Sequence, residues 1–225
     1  MADQEDQCIK VWDVPTRIFH WAMVLVFAGL ILTGEFIEDW TEIHFYLGYT
    51  LSGLIIFRII WGFLGSYHAR FRTFIYSPKE TLGYVKSHST GKPKHYYGHN
   101  PMGALMVFAI IGGLTLQLAT GPSLSDEVLY DAPFYALMPE EITDLAGRVH
   151  DTMPNILLAF VSLHVLAVIA HKVVLKDNLV PAMFHGKKLQ HKGLSAPQVK
   201  VSVWALVLSV GVAGGWVFYL FSVPI

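Results

Sequence analysis

Three histidines lie within one strongly apolar stretch of the chain, GRVHDTMPNILLAFVSLHVLAVIAHK, which covers residues 147–172. They are His150, His164 and His171, separated by 14 and then 7 residues. An ionisable side chain inside a membrane segment is costly and indicates a function, and neutral imidazole is a common metal ligand. Two more histidines, His20 and His44, lie near the starts of other apolar stretches. These residue types point to nitrogen ligation of a metal.

The amino-acid composition limits which kinds of metal site are possible. The 225 residues are 53% hydrophobic and 15% charged, whereas a soluble domain has about a quarter charged residues. The chain has eleven histidines but one cysteine, Cys8. A single cysteine excludes an intrachain disulfide framework and a cysteine-ligated iron–sulfur cluster. The net charge of −1 gives no support to nucleic-acid binding.

The apolar residues form five long blocks, each close to the ~20 residues that an α-helix needs to cross a bilayer. We predict transmembrane helices at 17–37, 43–64, 101–120, 149–175 and 201–222. A shorter helix on the inner membrane surface is predicted after Ser77, which is followed by Pro78 and Glu80 in a capping-box pattern.

Charge placement predicts the orientation of these helices. The connection 35–42 is acidic and has no lysine or arginine, and the connection 121–148 has six acids and one base, Arg148. The connections 65–100 and 176–200 are rich in lysine and arginine. By the positive-inside rule, the N-terminus and the basic connections are cytoplasmic, whereas the acidic connections and the C-terminus are periplasmic. The acidic outer segments are a candidate docking surface.

This orientation sorts the histidines by depth. Fourteen residues of helix separate His150 from His164 by roughly 21 Å along the axis and by about 40° around it, so both lie on one face. His44 then shares the outer level with His150, and His20 shares the inner level with His164. Two histidines that face each other at each level could hold two stacked b-type haems, each with two axial imidazoles. No CxxCH motif for covalent haem attachment is present.

Two alternatives remain at this point. A histidine in a membrane helix can simply hydrogen-bond to a neighbouring helix. His171 competes with His164 as the partner of His20, because it lies 7 residues further along nearly the same face; otherwise it is an interfacial residue beside Lys172. The remaining histidines are expected to be solvated or to contact propionates and lipid headgroups: His68, His88, His95, His99, His185 and His191.

Three arginines are candidate partners of haem propionates. Arg58 follows His44 by 14 residues, and either a propionate or snorkelling to the inner headgroups would satisfy it. Arg17 could meet an inner propionate or serve as a cytoplasmic anchor, and Arg148 is the candidate for an outer propionate. Glycines would let the macrocycle approach the backbone: Gly29, Gly34, Gly48, Gly53, Gly112 and Gly113.

Four segments together resemble the bacterial cytochrome b561 and nickel–iron hydrogenase b-type cytochrome family. They are VWDVPTRIFHW, IHFYLGYTLSGLIIFRIIWGFLG, YYGHNPMGALMV and the pair of histidines 14 residues apart on the fourth span. The resemblance covers roughly residues 10–190. It implies an all-α membrane protein with a four-helix transmembrane bundle that binds two haems b through His20, His44, His150 and His164, and it favours His164 over His171.

The chain departs from that family by adding a fifth transmembrane helix. We therefore divide it into a di-haem domain, residues 1–190, and a linker with the fifth helix, residues 191–225. Gly211 and Gly215 form a small-xxx-small pattern suited to close packing, either on the same bundle or against a partner subunit.

The leading functional hypothesis is an electron-transfer cytochrome of the bacterial inner membrane. It would link the quinone pool with a periplasmic partner such as a c-type cytochrome. One alternative is the membrane-anchor subunit of a hydrogenase-like oxidoreductase complex. Another, from the enzyme class, is a stand-alone superoxide:quinone oxidoreductase that uses the outer haem.

Overall fold

The computed structural model describes residues 8–89, 94–125, 130–174, 176–190 and 197–223. Five helices are long and apolar enough to cross a membrane, which confirms the predicted all-α membrane fold. These are α1 Val14–Glu35, α2 Thr41–Leu64, α4 Pro101–Thr120, α5 Glu140–Val173 and α7 Val203–Ser222. Two shorter helices, α3 Pro78–Ser89 and α6 Leu179–His185, lie in the basic connections.

Side-chain caps determine where several helices begin. Asp13 accepts a hydrogen bond from the Thr16 backbone N–H at 2.6 Å at the start of α1, and Asn100 accepts one from Gly103 at 2.7 Å at the start of α4. The predicted capping box of α3 is confirmed. The Glu80 carboxylate accepts from the Ser77 N–H at 2.8 Å, and the Ser77 hydroxyl accepts from the Glu80 N–H at 3.2 Å.

Helix α5 begins at Glu140, nine residues before the predicted start at residue 149. Pro139 precedes it in an extended conformation, and Glu140 and Glu141 occupy the first turn, where negative charge complements the helix dipole. The prediction missed this segment because it followed hydropathy alone. The 34 residues of α5 measure about 51 Å, which exceeds the ~30 Å hydrocarbon thickness of a bilayer, and the extra turns lie at its N-terminal end.

A two-stranded antiparallel ladder, which the sequence analysis did not predict, joins the segment before α1 to the segment after α6. Strand β1 Cys8–Lys10 pairs with β2 Lys187–Leu189. Gly186 ends α6 with a φ of +80°, a left-handed conformation that favours glycine. Its carbonyl accepts hydrogen bonds from Val11 at 2.8 Å and Trp12 at 3.1 Å, so the ladder ties α6 to the segment that precedes α1.

The fifth membrane helix, α7, packs on the bundle along α2. An added Cβ at Gly53 of α2 would lie 2.3 Å from a Val217 methyl, so glycine at this position permits the close approach. The Trp216 indole donates a hydrogen bond to the Ser52 hydroxyl at 2.9 Å. Gly211 and Gly215 do not mediate this contact, because an added Cβ at either meets nothing within 4 Å.

An apolar layer lies between the inner and outer histidines. Leu51 and Ile55 of α2 pack with Leu114 of α4 and Leu157 of α5, and each is at most 3% exposed. Leu157 lies midway along α5 between His150 and His164. The helices thus position the two groups of histidines at two separate depths.

Candidate functional site

The two outer histidines face each other across the bundle. The ring centroids of His44 on α2 and His150 on α5 lie 6.4 Å apart, with the planes at 73°. A metal between two imidazole nitrogens would hold the centroids about 6 Å apart, because each metal–nitrogen bond is about 2 Å and the nitrogen lies about 1 Å from its centroid. The separation therefore fits an iron with two axial imidazoles.

Each outer histidine is held through Nδ1 by a threonine hydroxyl. Thr33 Oγ1 lies 2.9 Å from His44 Nδ1, and Thr120 Oγ1 lies 3.1 Å from His150 Nδ1. Both hydroxyls also donate to a backbone carbonyl of their own helix, at 2.9 Å for Thr33 to Gly29 and 2.8 Å for Thr120 to Gln117.

A hydroxyl has one proton, and each threonine gives that proton to its backbone carbonyl. Each threonine oxygen must therefore accept a proton from histidine Nδ1. This assignment leaves Nε2 of both rings with a lone pair for a metal. The sequence analysis did not identify the two threonines, although each one precedes a glycine near the end of its helix, in Thr33-Gly34 and Thr120-Gly121.

Glycines surround the outer pair. An added Cβ at Gly34 would lie 3.0 Å from the His44 ring, and one at Gly121 would lie 3.0 Å from the His150 ring. Gly48, one turn after His44, is partly buried, yet an added Cβ there meets nothing within 4 Å. The structure thus has room for a bulky group beside His44. Of the other predicted glycines, Gly29 packs against Leu47 and Gly113 against Leu157.

A proline in α5 leaves the His150 carbonyl without its helical hydrogen bond. Pro154 lies inside α5 and has no N–H, so it cannot make the helical hydrogen bond to the His150 carbonyl four residues earlier. The side-chain amide of Gln117 on α4 donates to that carbonyl at 3.1 Å instead. The turn of α5 that bears His150 is therefore tied to α4 rather than to its own next turn.

At the inner level, His20 of α1 and His164 of α5 lie within electrostatic reach of each other. His171 has other neighbours. Its Nε2 lies 3.4 Å from the Asn100 amide, and its Nδ1 lies 3.9 Å from the Asp177 carboxylate. The geometry therefore brings His164, rather than His171, towards His20.

A basic pocket lies next to the inner level. Arg58 is 4% exposed, and its guanidinium lies over the Phe71 ring with its carbon 4.7 Å from the centroid. Gly62, one turn along α2, leaves space for that ring, because an added Cβ would lie 2.1 Å from it. Asp13 is the carboxylate within electrostatic reach of Arg58.

Two histidines of the basic connection 65–100 belong to this pocket. The sequence analysis expected them to be solvated or to contact propionates and lipid headgroups, and the structure contradicts the first of these alternatives. The Trp12 ring lies 4.9 Å from the His99 ring and 6.3 Å from the His68 ring, and Phe74 lies 4.4 Å from His99. Burial lowers the pKa of His99 to about 3, with Arg58 the next cause, and lowers the pKa of His68 to about 4. Both rings are therefore neutral at physiological pH.

The other predicted residues have simpler surroundings. The Arg17 guanidinium donates to the Phe184 carbonyl at the end of α6, as an anchor would. Arg148 is exposed, two residues before His150, and His95 and His185 are exposed as expected. The His88 side chain and His191 lie outside the described residues.

Within the described ranges, no three histidine, cysteine or acidic side chains cluster closely enough to hold a metal ion unaided. A haem needs only two axial ligands from the protein, since its porphyrin supplies the other four. Facing imidazoles with available Nε2 atoms, a glycine-lined space and a nearby basic pocket fit that group. Such a donor set would suit one-electron transfer, because two histidines bound to the iron would leave no position open for substrate.

Comparison with known proteins gives a consistent result. The profile of the family described as prokaryotic cytochrome b561 matches residues 11–186. A protein of Rhizobium leguminosarum bv. viciae, named a probable Ni/Fe-hydrogenase B-type cytochrome subunit, is 26% identical over 82% of this chain and 90% of its own length. A protein of Azotobacter vinelandii with the same name is 26% identical over 83% and 90%. The probable Ni/Fe-hydrogenase 1 B-type cytochrome subunit of Escherichia coli K12 is 24% identical over 85% and 96%.

Proposed function

We propose, because the chain belongs to the prokaryotic cytochrome b561 family, that it carries electrons across the bacterial inner membrane between the quinone pool and a periplasmic redox partner. It is a multi-pass membrane protein and a b-type cytochrome. The proposal adds two bis-histidine haems b, a cytoplasmic N-terminus and a periplasmic C-terminus.

The observation that carries the proposal is the outer histidine pair. His44 and His150 approach to 6.4 Å between ring centroids, and both present Nε2 because their Nδ1 atoms face threonine hydroxyls. His20 and His164 would supply the inner pair. When bound, haem b supplies an iron that accepts and releases one electron at a time.

The residues of this chain position that group and control its surroundings. Thr33 and Thr120 orient the outer imidazoles, and Gln117 and Pro154 fix the backbone at His150. The layer that includes Leu51 and Leu157 excludes water between the two levels. Arg17, Arg58 and Arg148 are the proposed partners of haem propionates.

The periplasmic partner would dock at the outer projection of α5. Glu140, Glu141 and Asp144 are exposed there, which suits a basic c-type cytochrome. Charge complementarity of this kind raises the rate of encounter more than the affinity.

A second candidate is the membrane subunit of a hydrogenase-like oxidoreductase complex. The names of the relatives favour it. The same outer segment also exposes large apolar side chains, with Leu137 at 75%, Leu145 at 51% and Ile142 at 47%. Exposed apolar groups outside the bilayer suit a permanent partner subunit. Stoichiometric copurification of a catalytic subunit from native membranes would favour this candidate.

The proposed function is tested by following the haem absorbance of the purified protein under anaerobic conditions. Decylubiquinol or menadiol should reduce the haems, and a basic ferric c-type cytochrome should reoxidise them more slowly at high ionic strength. The combined changes Glu140→Gln, Glu141→Gln and Asp144→Asn should slow only the second step. Haems that dithionite reduces but that exchange electrons with neither quinol nor the c-type cytochrome would contradict the proposal.

A further inference from the structure

Buried hydrogen-bond donors lack acceptors at the cytoplasmic end of the bundle. Among the described residues, six buried nitrogens there have no hydrogen-bond partner, and every one belongs to arginine or histidine: Arg17 Nε, His20 Nδ1, Arg58 Nη1, Arg70 Nε, His99 Nδ1 and His171 Nδ1. Buried polar groups in folded proteins nearly always find partners, so this excess of donors indicates an absent acceptor.

The buried carboxylate nearby does not supply that acceptor. Asp13 is 1% exposed, and both of its oxygens are already engaged. One accepts from the Thr16 N–H, and the other accepts from the Trp61 indole at 3.3 Å and from the Ser66 hydroxyl. Asp13 therefore caps α1 and fastens it to the end of α2, which leaves Arg58 Nη1 without an oxygen.

The groups around His99 include positively charged side chains and His164, the proposed ligand of the inner haem. The charged or titratable groups within its electrostatic reach are Arg58, His68, Lys188 and His164. The ring is held in place by Trp12 and Phe74, and its backbone carbonyl accepts a hydrogen bond from the Tyr76 hydroxyl at 2.8 Å. His99 thus presents an unpartnered Nδ1 within electrostatic reach of Arg58 and His164. Phe74, which packs on His99, also contacts Phe71, the ring under the Arg58 guanidinium.

We propose that His99 and Arg58 form a carboxylate-binding site that takes a propionate of the haem held by His20 and His164. This inference rests on the proposed function, because it presupposes an inner haem. A propionate has two acceptor oxygens and a negative charge, which match one imidazole donor and one guanidinium donor.

The depth of Arg58 selects this ligand over a lipid phosphate. Arg58 lies six residues before the last residue of α2, about 9 Å of helix inside its end. Headgroup phosphates lie at the membrane surface, whereas a haem bound at the level of His164 would carry its propionates inside the bundle. Arg58 is also 4% exposed, which keeps soluble anions away.

Redox-difference infrared spectroscopy tests the site on the whole protein with haem labelled by ¹³C at its propionate carboxylates. Labelled bands that disappear in His164→Ala identify the inner haem. Those bands should shift in His99→Phe, which removes the donor, and should keep their positions in His99→Asn, whose amide nitrogen can take the place of the imidazole Nδ1. His185→Phe makes the same change at an exposed cytoplasmic histidine and should leave the bands unshifted. One midpoint potential should fall in His99→Phe, because an unneutralised propionate favours ferric iron.

Unshifted inner bands in His99→Phe, with both haems bound, would overturn the inference. Unshifted bands in His99→Phe, together with loss of a phospholipid that copurifies with the wild type, would mean that the donors bind a lipid phosphate. This result would also overturn the inference. If His99→Phe does not fold, His99→Leu removes the donor with a smaller side chain, and the same two outcomes apply. A colourless wild-type protein would refute the proposed function itself, whereas two haems with unaffected propionates would refute only this inference.

Discussion

At the scale of single residues, the outer site depends on two threonine hydroxyls that contact the Nδ1 atoms of His44 and His150. Thr33 and Thr120 come from different helices, α1 and α4, but make the same contacts, to a histidine Nδ1 and to backbone carbonyls of their own helix. Such contacts orient a ligand and raise its basicity. The two threonines therefore set the tautomer on which ligation depends.

Thr120→Val should weaken the outer haem site without unfolding the helix. Valine keeps the shape of threonine but cannot accept the His150 proton, and loss of a contact of this kind weakens a metal site by about 10- to 100-fold. We expect faster haem loss on dilution and a higher midpoint potential for one haem. Thr115→Val is the control, because Thr115 is exposed on the same helix and bonds only to the Ile111 carbonyl. Equal haem loss in both variants would contradict the assigned role.

Gly48→Leu should block the space beside His44. An added Cβ at Gly48 meets nothing within 4 Å although the residue is partly buried, so a leucine would occupy the room assigned to the macrocycle. A pyridine haemochrome assay should find one haem lost per chain. The matched change Gly112→Leu, at an exposed glycine with equally open surroundings, should keep full haem content. Full content in Gly48→Leu would show that the macrocycle does not lie there.

At the scale of the helices, the sequence predicted those spans and helix starts that depend on neighbouring residues. The lengths of the apolar blocks predicted the five membrane helices, and the capping pair Ser77 and Glu80 predicted the start of α3. The outer extension of α5 from Glu140 was missed because its polar residues carry no hydropathy signal, although Pro139 and two acids signal a helix start. The pairing of β1 with β2 joins segments about 180 residues apart, and no short-range pattern encodes such a contact.

The tie between α4 and α5 can be tested with a double-mutant cycle. In the wild type, Gln117→Leu leaves the His150 carbonyl without its partner and should destabilise the protein by about 1 kcal/mol. In a Pro154→Ala background, the restored N–H can satisfy that carbonyl, so the same change should cost little. Thermal haem release reports both effects. Additive effects of the two substitutions would contradict the coupling.

The packing of α7 on α2 depends on Gly53. Gly53→Ala would place a methyl 2.3 Å from Val217, and overpacking of this kind costs about 1–3 kcal/mol. Val217→Ala should rescue it, because the Cβ of residue 217 lies 3.7 Å from the added methyl. Gly211→Ala, at an open position on α7, serves as the control and should be neutral. The apparent melting temperature of the purified protein compares Gly53→Ala, the double variant Gly53→Ala with Val217→Ala, and Gly211→Ala.

At the scale of the whole molecule, polarity differs between the two ends of the bundle. The outer end exposes acids along α5, whereas the inner end combines basic loops with buried donors around Arg58 and His99. The sequence itself contains the basic and acidic connections, and their assignment to the two sides of the membrane by the positive-inside rule stays a prediction. The sequence did not predict the burial of His68 and His99, because this depends on Trp12, which contacts both rings from a distant segment, and on Phe74, which contacts His99.

The most direct test of the central claim is the number of haems per chain in the wild type and in single histidine variants, measured by pyridine haemochrome against protein concentration. We predict two in the wild type, one in each of His20→Ala, His44→Ala, His150→Ala and His164→Ala, and two in His171→Ala. A wild-type protein with no haem or one haem would contradict the account. Loss of a haem in His171→Ala, with both retained in His164→Ala, would contradict the inner pairing.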